Sequence, residues 1–354
     1  MKKRVLVFRF SALGDVAMTV PVLHSFLNQY PEHEVWLVSR GFASDLLKPV
    51  NGVRFFEADL KVRHKGIAGM VRLFNDLHRY GPFDSVIDLH SVLRTHVLSL
   101  LFRLNGNVVS RIDKGRDEKK KLCRKNNKVF QQLPSTFDRY QQTFKKAGFA
   151  FELLPFPGKE LFGNNIEIET LMLKKLPEMK MFFHTTGKQK RIGVAPFAKH
   201  QWKMWPTEKM MRLLKELEGE GYSIVFFGGK GEEKHQLEQW ASDLKNTISV
   251  AGELTFGEEL YLISKLGTML TMDSANMHLA SLAEVRVVSI WGATHPYAGF
   301  YGYGQSANDA VQIDLECRPC SVYGNKECHR GDFACMEMIT PQLVFKKITG
   351  GSHV

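Results

Sequence analysis

No stretch of this 354-residue sequence has enough consecutive apolar residues to span a bilayer. The opening MKKRVLVFRF sets an apolar run behind basic residues, as a signal peptide does. The run is short, is broken by Arg9 and lacks a small-residue cleavage site, so it reads as a buried first strand. Cysteine is scarce, five residues in all, and a disulfide framework is not expected in a chain of cytoplasmic type. No Gly-x-Gly-x-x-Gly occurs, which removes the dinucleotide fingerprint. There is no solenoid-type repeat. Acidic residues are in deficit, 37 against 48 Lys and Arg, for a net charge of +11. That balance bears on partners and not on fold, and it leaves nucleic acid, an anionic membrane surface or a phosphorylated substrate open.

What is present is ample core. Apolar residues make up 44% and charged residues 24%, ordinary for a folded chain, and the length exceeds a single core, so two domains are expected. Much of the excess charge sits in Arg111–Lys128 (RIDKGRDEKKKLCRKNNK), with nine basic residues against three acidic. Such a run is either a solvated loop or a polyanion-binding one. Four of the five cysteines fall late, at Cys317, Cys320, Cys328 and Cys335. The Cys-x-x-Cys pair followed by two more suits a structural Zn²⁺, while the six residues between the second pair fit reduced thiols or a tight loop equally well.

Along the chain, short apolar strands alternate with helical segments. Strands are expected at Val5–Phe10, Val35–Ser39, Val53–Glu57, Ser85–Leu89 and Val108–Arg111, with helices at Val16–Tyr30, Gly66–Tyr80, Val92–Leu104 and Ser135–Ala147. The pattern weakens between Phe151 and Lys190, then resumes with strands near Ile192–Ala195, Ser223–Phe227, Ile248–Val250, Met269–Met272 and Val287–Ile290. This alternation predicts an α/β protein of two doubly wound parallel sheets facing a central cleft. The expected division is a first domain at 1–165, a linker at 166–190, a second domain at 191–336 and a terminal helix within 337–354. In doubly wound sheets ligands bind beyond the carboxyl ends of the strands, so chemistry should sit just after a strand.

Four segments do so. In RFSALGDVAMTVP, Gly14 permits a tight turn and Asp15 opens a helix, either as a favourable N-terminal acid or as a general base projecting into the cleft. In PFAKHQWKMWP, Lys203 is locked beside Trp205-Pro206 and offers a point charge to phosphate. FGGKGEE is a Gly-rich turn before a helix, where Glu232 could accept from a ribose diol or merely favour the helix start. The fourth, TMDSANMHLASLAEVRVVSIWGATHP, is the most informative. Asp273 ends a strand, Ser274 and Ala275 turn, and a helix starting near Asn276 presents its free N–H groups and dipole to a diphosphate. His278 lies in that helix's first turn, and Thr294 follows the next strand, facing the same cleft.

SALGD, KMWP, DSANMHLA and VSIWGATHP, in that order, resemble glycosyltransferase family 9, the ADP-heptose:lipopolysaccharide heptosyltransferases and their relatives. The cysteine-bearing CRPCSVYGNKECHRGDFACM is similar to a stretch found in many members. The resemblance implies a GT-B fold whose terminal helix often crosses back to the first domain. It implies inversion at the anomeric carbon without a metal, and no Asp-x-Asp occurs in the chain. Carried over, Asp15 falls on the catalytic base, Lys203 on the phosphate-binding lysine and Asp273 on the donor-sugar aspartate. Ser274, Ala275 and His278 fall on the diphosphate loop, with Ser274-Ala275 standing where many members have Thr-Gly or Ser-Gly.

The function so implied is transfer of a sugar, heptose from ADP-heptose, onto a lipopolysaccharide-core or related saccharide acceptor. No cofactor is needed beyond the nucleotide-sugar donor. Donor contacts are expected at Lys203, Glu232, Asp273, Ser274, Ala275, Asn276, His278 and Thr294. Contacts to an anionic, lipid-linked acceptor are expected at Arg9, Ser11, Lys119, Lys120, Lys121 and Arg124. The protein should be cytoplasmic, with peripheral contact at the inner membrane face. A nucleotide-sugar epimerase of the same fold is the alternative. Nucleic-acid binding is not expected, because the basic run has no interleaved aromatics.

Overall fold

The computed structural model describes residues 2–180, 182 and 187–350. Within the expected linker, residues 181 and 183–186 lie outside that range, as do residues 351–354 of the terminal segment. The chain divides into two compact units. One comprises residues 1–116 and 134–156, and the other residues 117–133 and 157–354.

The first unit is built on five parallel strands, β1 (Lys3–Phe8), β2 (His33–Ser39), β3 (Val53–Glu57), β4 (Ser85–Asp88) and β5 (Val108–Arg111), in the order β3-β2-β1-β4-β5. The order reverses between β1 and β4, so the crevice above their carboxyl ends is the ligand position in this topology. Leu6, Phe8 and Val86 bury one face of the sheet against helices Gly66–His78 and Leu93–Leu104, through Met70, Leu73, Leu98 and Phe102. The expected helix Val16–Tyr30 is in fact two, Leu13–Ala17 and Thr19–Gln29, with Met18 between them. The break falls just ahead of Pro21, which has no N–H to donate to the carbonyl of Ala17, four residues earlier.

Six parallel strands organise the second unit: β6 (Arg191–Ala195), β7 (Ser223–Phe226), β8 (Thr247–Ser249), β9 (Thr268–Met272), β10 (Arg286–Ile290) and the two-residue β11 (Ala310–Val311). Their order is β11-β10-β9-β6-β7-β8. Here the reversal lies between β6 and β9. β11 was not expected, since two residues carry no readable period.

Three expectations about domain limits are corrected. First, residues 157–165 belong to the second unit. Gly158 lies against the Leu282 carbonyl with no room for a Cβ, and Lys159 N–H donates to Glu284 at 2.8 Å. Helix Ile166–Lys175, expected in a linker, is likewise tied to this unit by Lys175 to Glu258 at 2.7 Å. Second, residues 117–133 of the basic run also pack there. Leu122 and Leu133 cluster with Ala298, and Leu133 N–H donates to the Tyr297 carbonyl at 3.0 Å. Third, the terminal helix Pro341–Thr349, expected to cross back to the first domain, packs within the second unit. Its Val344 and Ile348 join the core of helix Thr207–Gly219 and Trp205, whose indole N–H donates to the Ile339 carbonyl at 3.2 Å. An apolar stripe settles on whichever complementary core it reaches, and nothing in its own residues specifies which.

Candidate active site

In the first unit, β1 feeds a tight turn and helix Leu13–Ala17, which places Asp15 in the helix's first turn. Asp15 Oδ2 accepts from the Arg9 guanidinium at 2.6 Å and from the Ala12 N–H at 3.1 Å. Arg9 is buried, donates also to the Leu89 carbonyl at 2.7 Å, and stands 5.9 Å over the Tyr140 ring. Tyr140 in turn donates to the Asp15 carbonyl at 3.1 Å. The carboxylate is therefore held in one position with a positive charge against it. Arg9, expected as an acceptor contact, is buried and turns its guanidinium to Asp15 and the Leu89 carbonyl.

A group at the end of β4 was missed. Asp88 is buried and accepts from the His90 and Ser91 N–H groups at 2.9 and 2.8 Å, fixing the turn across the switch point from Asp15. His90 Nε2 lies 3.4 Å from Ser11 Oγ, and its ring meets Phe10 edge-on. Burial, with help from the Arg9 and Lys114 charges, lowers the His90 pKa to about 3, so the imidazole is neutral. The signal was in the sequence: an Asp at the last-but-one position of the strand expected at Ser85–Leu89 and a His directly after it, close to the rule that picked out Asp15 and Asp273.

The second unit gathers its residues at the β6/β9 reversal. Lys203, on the 3₁₀ turn Gln201–Lys203 after β6, pairs with Asp273 at the end of β9, Nζ to Oδ2 at 2.7 Å. The two residues expected to serve phosphate and sugar are thus in direct contact. Helix Ala275–Leu282 begins beside them with Asn276 in its first turn, and His278 is buried on it. Ser274 Oγ lies 3.1 Å from Thr271 Oγ1 and does not cap the helix, so the first-turn N–H groups have no side-chain cap. Thr294, after β10, is buried, and its hydroxyl makes no hydrogen bond among the described residues. Glu232 is exposed at the start of helix Glu232–Asp243. It is the neighbouring Glu233 that folds back, accepting from Gly229 N–H at 2.6 Å.

The cysteine-bearing segment supports this site from below. Gly324, at φ +70°, packs against the aliphatic stem of Lys203 with no room for a side chain, and Phe333 meets Trp202 edge-on at 5.4 Å. Arg318, which sequence reasoning passed over, is buried and laces the segment to the β10 loop. It donates to the carbonyls of Gly292 (2.6 Å), Trp291 (3.1 Å), Thr294 (3.0 Å) and Ile313 (2.6 Å). Of the late cysteines, for which the sequence leaves a structural Zn²⁺, reduced thiols and a tight loop all open, each is a free thiol. Among the described residues no three His, Cys, Asp or Glu side chains are grouped as a metal requires. Cys335 is buried in the apolar core and Cys320 Sγ turns to the Ala293 carbonyl at 3.8 Å.

The basic run is not one exposed loop. Lys119 is buried with its ammonium 4.1 Å from the Phe300 ring centroid, a cation–π contact that corrects its assignment to the acceptor. Lys128 caps three carbonyls, those of Glu316, Arg318 and Pro319. Lys120, Lys121 and Arg124 are exposed.

A family model described as glycosyltransferase family 9 (heptosyltransferase) matches residues 70–329, most of the chain, though not Asp15. Lipopolysaccharide heptosyltransferase 1 of Pseudomonas aeruginosa is 23% identical over 329 residues, 90% of this chain and 86% of that protein. A glycosyltransferase family 9 structure from Veillonella parvula superposes with a TM-score of 0.74 at 18% identity, covering 98% of this chain and 96% of that one. The E. coli heptosyltransferase WaaC with ADP-2-deoxy-2-fluoro heptose gives a TM-score of 0.64 at 17% identity, covering 91% and 97%. The family match covers well over half of the chain, so the chain belongs to glycosyltransferase family 9, and with its two doubly wound parallel sheets it is a glycosyltransferase of the GT-B fold.

Proposed function

We propose that the protein transfers heptose from ADP-heptose to a hydroxyl of a lipopolysaccharide-core or related anionic saccharide, with inversion and without a divalent metal. The observation that carries the reading is the ion pair of Lys203 with Asp273 at the uncapped start of helix Ala275–Leu282. An ammonium and a helix N-terminus together form a fixed positive field, which is what a departing diphosphate requires. Glu232 would accept from the ribose, and Asn276, His278 and Thr294 would line the donor side.

In this mechanism the acceptor oxygen attacks the anomeric carbon as the bond from that carbon to the diphosphate oxygen breaks. Asp15 takes the hydroxyl proton, and the electron pair leaves on ADP. General-base catalysis supplies about 10²–10⁴-fold, and stabilisation of the leaving group carries the larger share. Ser11 would meet the acceptor near Asp15, and Lys120, Lys121 and Arg124 its anionic groups.

The test is ADP release from ADP-heptose with and without a lipid-linked core acceptor, in the presence of EDTA, with the product's anomeric configuration read by NMR. Acceptor-dependent release that survives EDTA, with inversion, is expected. Turnover of donor alone to an isomerised sugar would make the protein an epimerase. Loss of activity to chelator, restored by Mg²⁺, would overturn the metal-free part.

A further inference from the structure

Helices Gly66–His78 and Leu93–Leu104 cover the same face of the first unit's sheet and pack on each other, with Phe74 meeting Phe102 edge-on at 4.8 Å. Their inward sides are spent on that core. Their outward sides should then be polar, yet they are not. Leu93, Leu100 and Leu104 recur at i, i+7 and i+11 on one stripe, and Leu93 and Leu104 are 74% and 78% exposed. On the neighbouring helix Ile67 and Val71 recur at i, i+4, and Val62 in the loop before it is 77% exposed. Single exposed leucines are normal, but here six of the fifteen large exposed hydrophobic residues among those described lie on one helix pair and its entry loop.

The charges around these residues are of one sign. The loop 61–65 and the two helices carry Lys61, Arg63, Lys65, Arg72, Arg94 and Arg103 against one acid, Asp76, which is paired bidentately with Arg63. We infer that this face is a membrane-docking surface for an anionic lipid bilayer, its leucines entering the interface and its cations meeting lipid phosphates. An apolar stripe flanked by Lys and Arg is the pattern by which a helix lies in the interface plane. A second copy of the chain is the less suitable occupant, since it would set this cationic rim against itself. No described helix is long and apolar enough to cross a membrane, so association of this kind would be peripheral. The inference is independent of the proposed donor and acceptor, because it is read by lipid binding and not by turnover.

The test is flotation of the full chain with vesicles of phosphatidylcholine plus phosphatidylglycerol, beside phosphatidylcholine alone, at low and physiological salt. The parent should float with the anionic vesicles only, and less as salt rises. The triple variant Leu93→Ser, Leu100→Ser, Leu104→Ser should stay in the soluble fraction. In case that variant misfolds, Lys65→Gln, Arg72→Gln, Arg103→Gln alters only exposed positions, and each lost charge should weaken binding about fivefold. The idea is overturned if the parent ignores anionic vesicles, if the charge variant floats like the parent, or if sedimentation shows a dimer that the leucine variant dissociates.

Discussion

Asp15 shows how a residue acquires a role from its neighbours. On its own it is a helix-start acid. Held by Arg9, the Ala12 N–H and the Tyr140 contact to its own carbonyl, it becomes a carboxylate with one orientation. Asp15→Asn should cut kcat by at least a hundredfold while calorimetric affinity for ADP stays within twofold, because the amide cannot take the proton and the residue lies in the other unit from the donor loops. Arg9→Lys keeps the charge but loses the fork that reaches both Asp15 and Leu89, and should cost kcat without moving the donor KM. A fall in kcat of less than tenfold for Asp15→Asn would remove it as the base.

At the scale of elements, packing and hydrogen bonds hold the segment from Cys317 to Cys335 in place. Gly324 is the contact that bears on chemistry. In Gly324→Ala the new methyl collides with the Lys203 stem, and the φ of +70° is strained for any side chain. Donor KM should rise and kcat/KM should fall by about tenfold to a hundredfold, with the acceptor KM unmoved. An unchanged donor KM would mean the lysine re-forms its pair with Asp273 regardless. Arg318→Met should act on stability instead. It strands four buried carbonyls of the β10 and β11 loops and should cost on the order of 3 kcal/mol in denaturant unfolding.

For the whole molecule the buried titratable groups set a window of stability. His90 and His295 have pKa values lowered to about 3 and about 4, chiefly by burial, with Arg9 and Arg318 respectively adding repulsion. Their unfolded forms take protons from about 6.5 downward, so the stability they confer is complete above that pH and is lost as pH falls through the folded values. Glu259 works in the opposite sense. Burial and the adjacent Glu258 raise its pKa to about 8, so its contribution is full in acid and fades as pH rises through that value. Melting temperature should therefore fall toward both extremes. Glu259→Gln should raise it at pH 8 more than at pH 5, and an equal shift at the two would show that Glu259 does not titrate there.

The sequence by itself determined the class of architecture and ten of the eleven strands, because apolar period and turn residues are local properties that each strand carries within itself. It also placed Asp15, Lys203 and Asp273 at strand ends, which is where doubly wound sheets hold their ligands. Only the tertiary structure decided which core received the terminal helix and residues 117–133 and 157–165, since an apolar stripe specifies burial and not a partner. The same holds for charge. Lys119 and Lys120 are indistinguishable as letters, but one lies buried over Phe300 and the other faces solvent. Arg9 binding Asp15, Arg318 lacing two loops and Gly324 flanking Lys203 are contacts between residues far apart in the chain or aimed by a fold around them. Their energies exist only once the backbone has brought the partners within a few ångströms, and no spacing in the sequence encodes that approach.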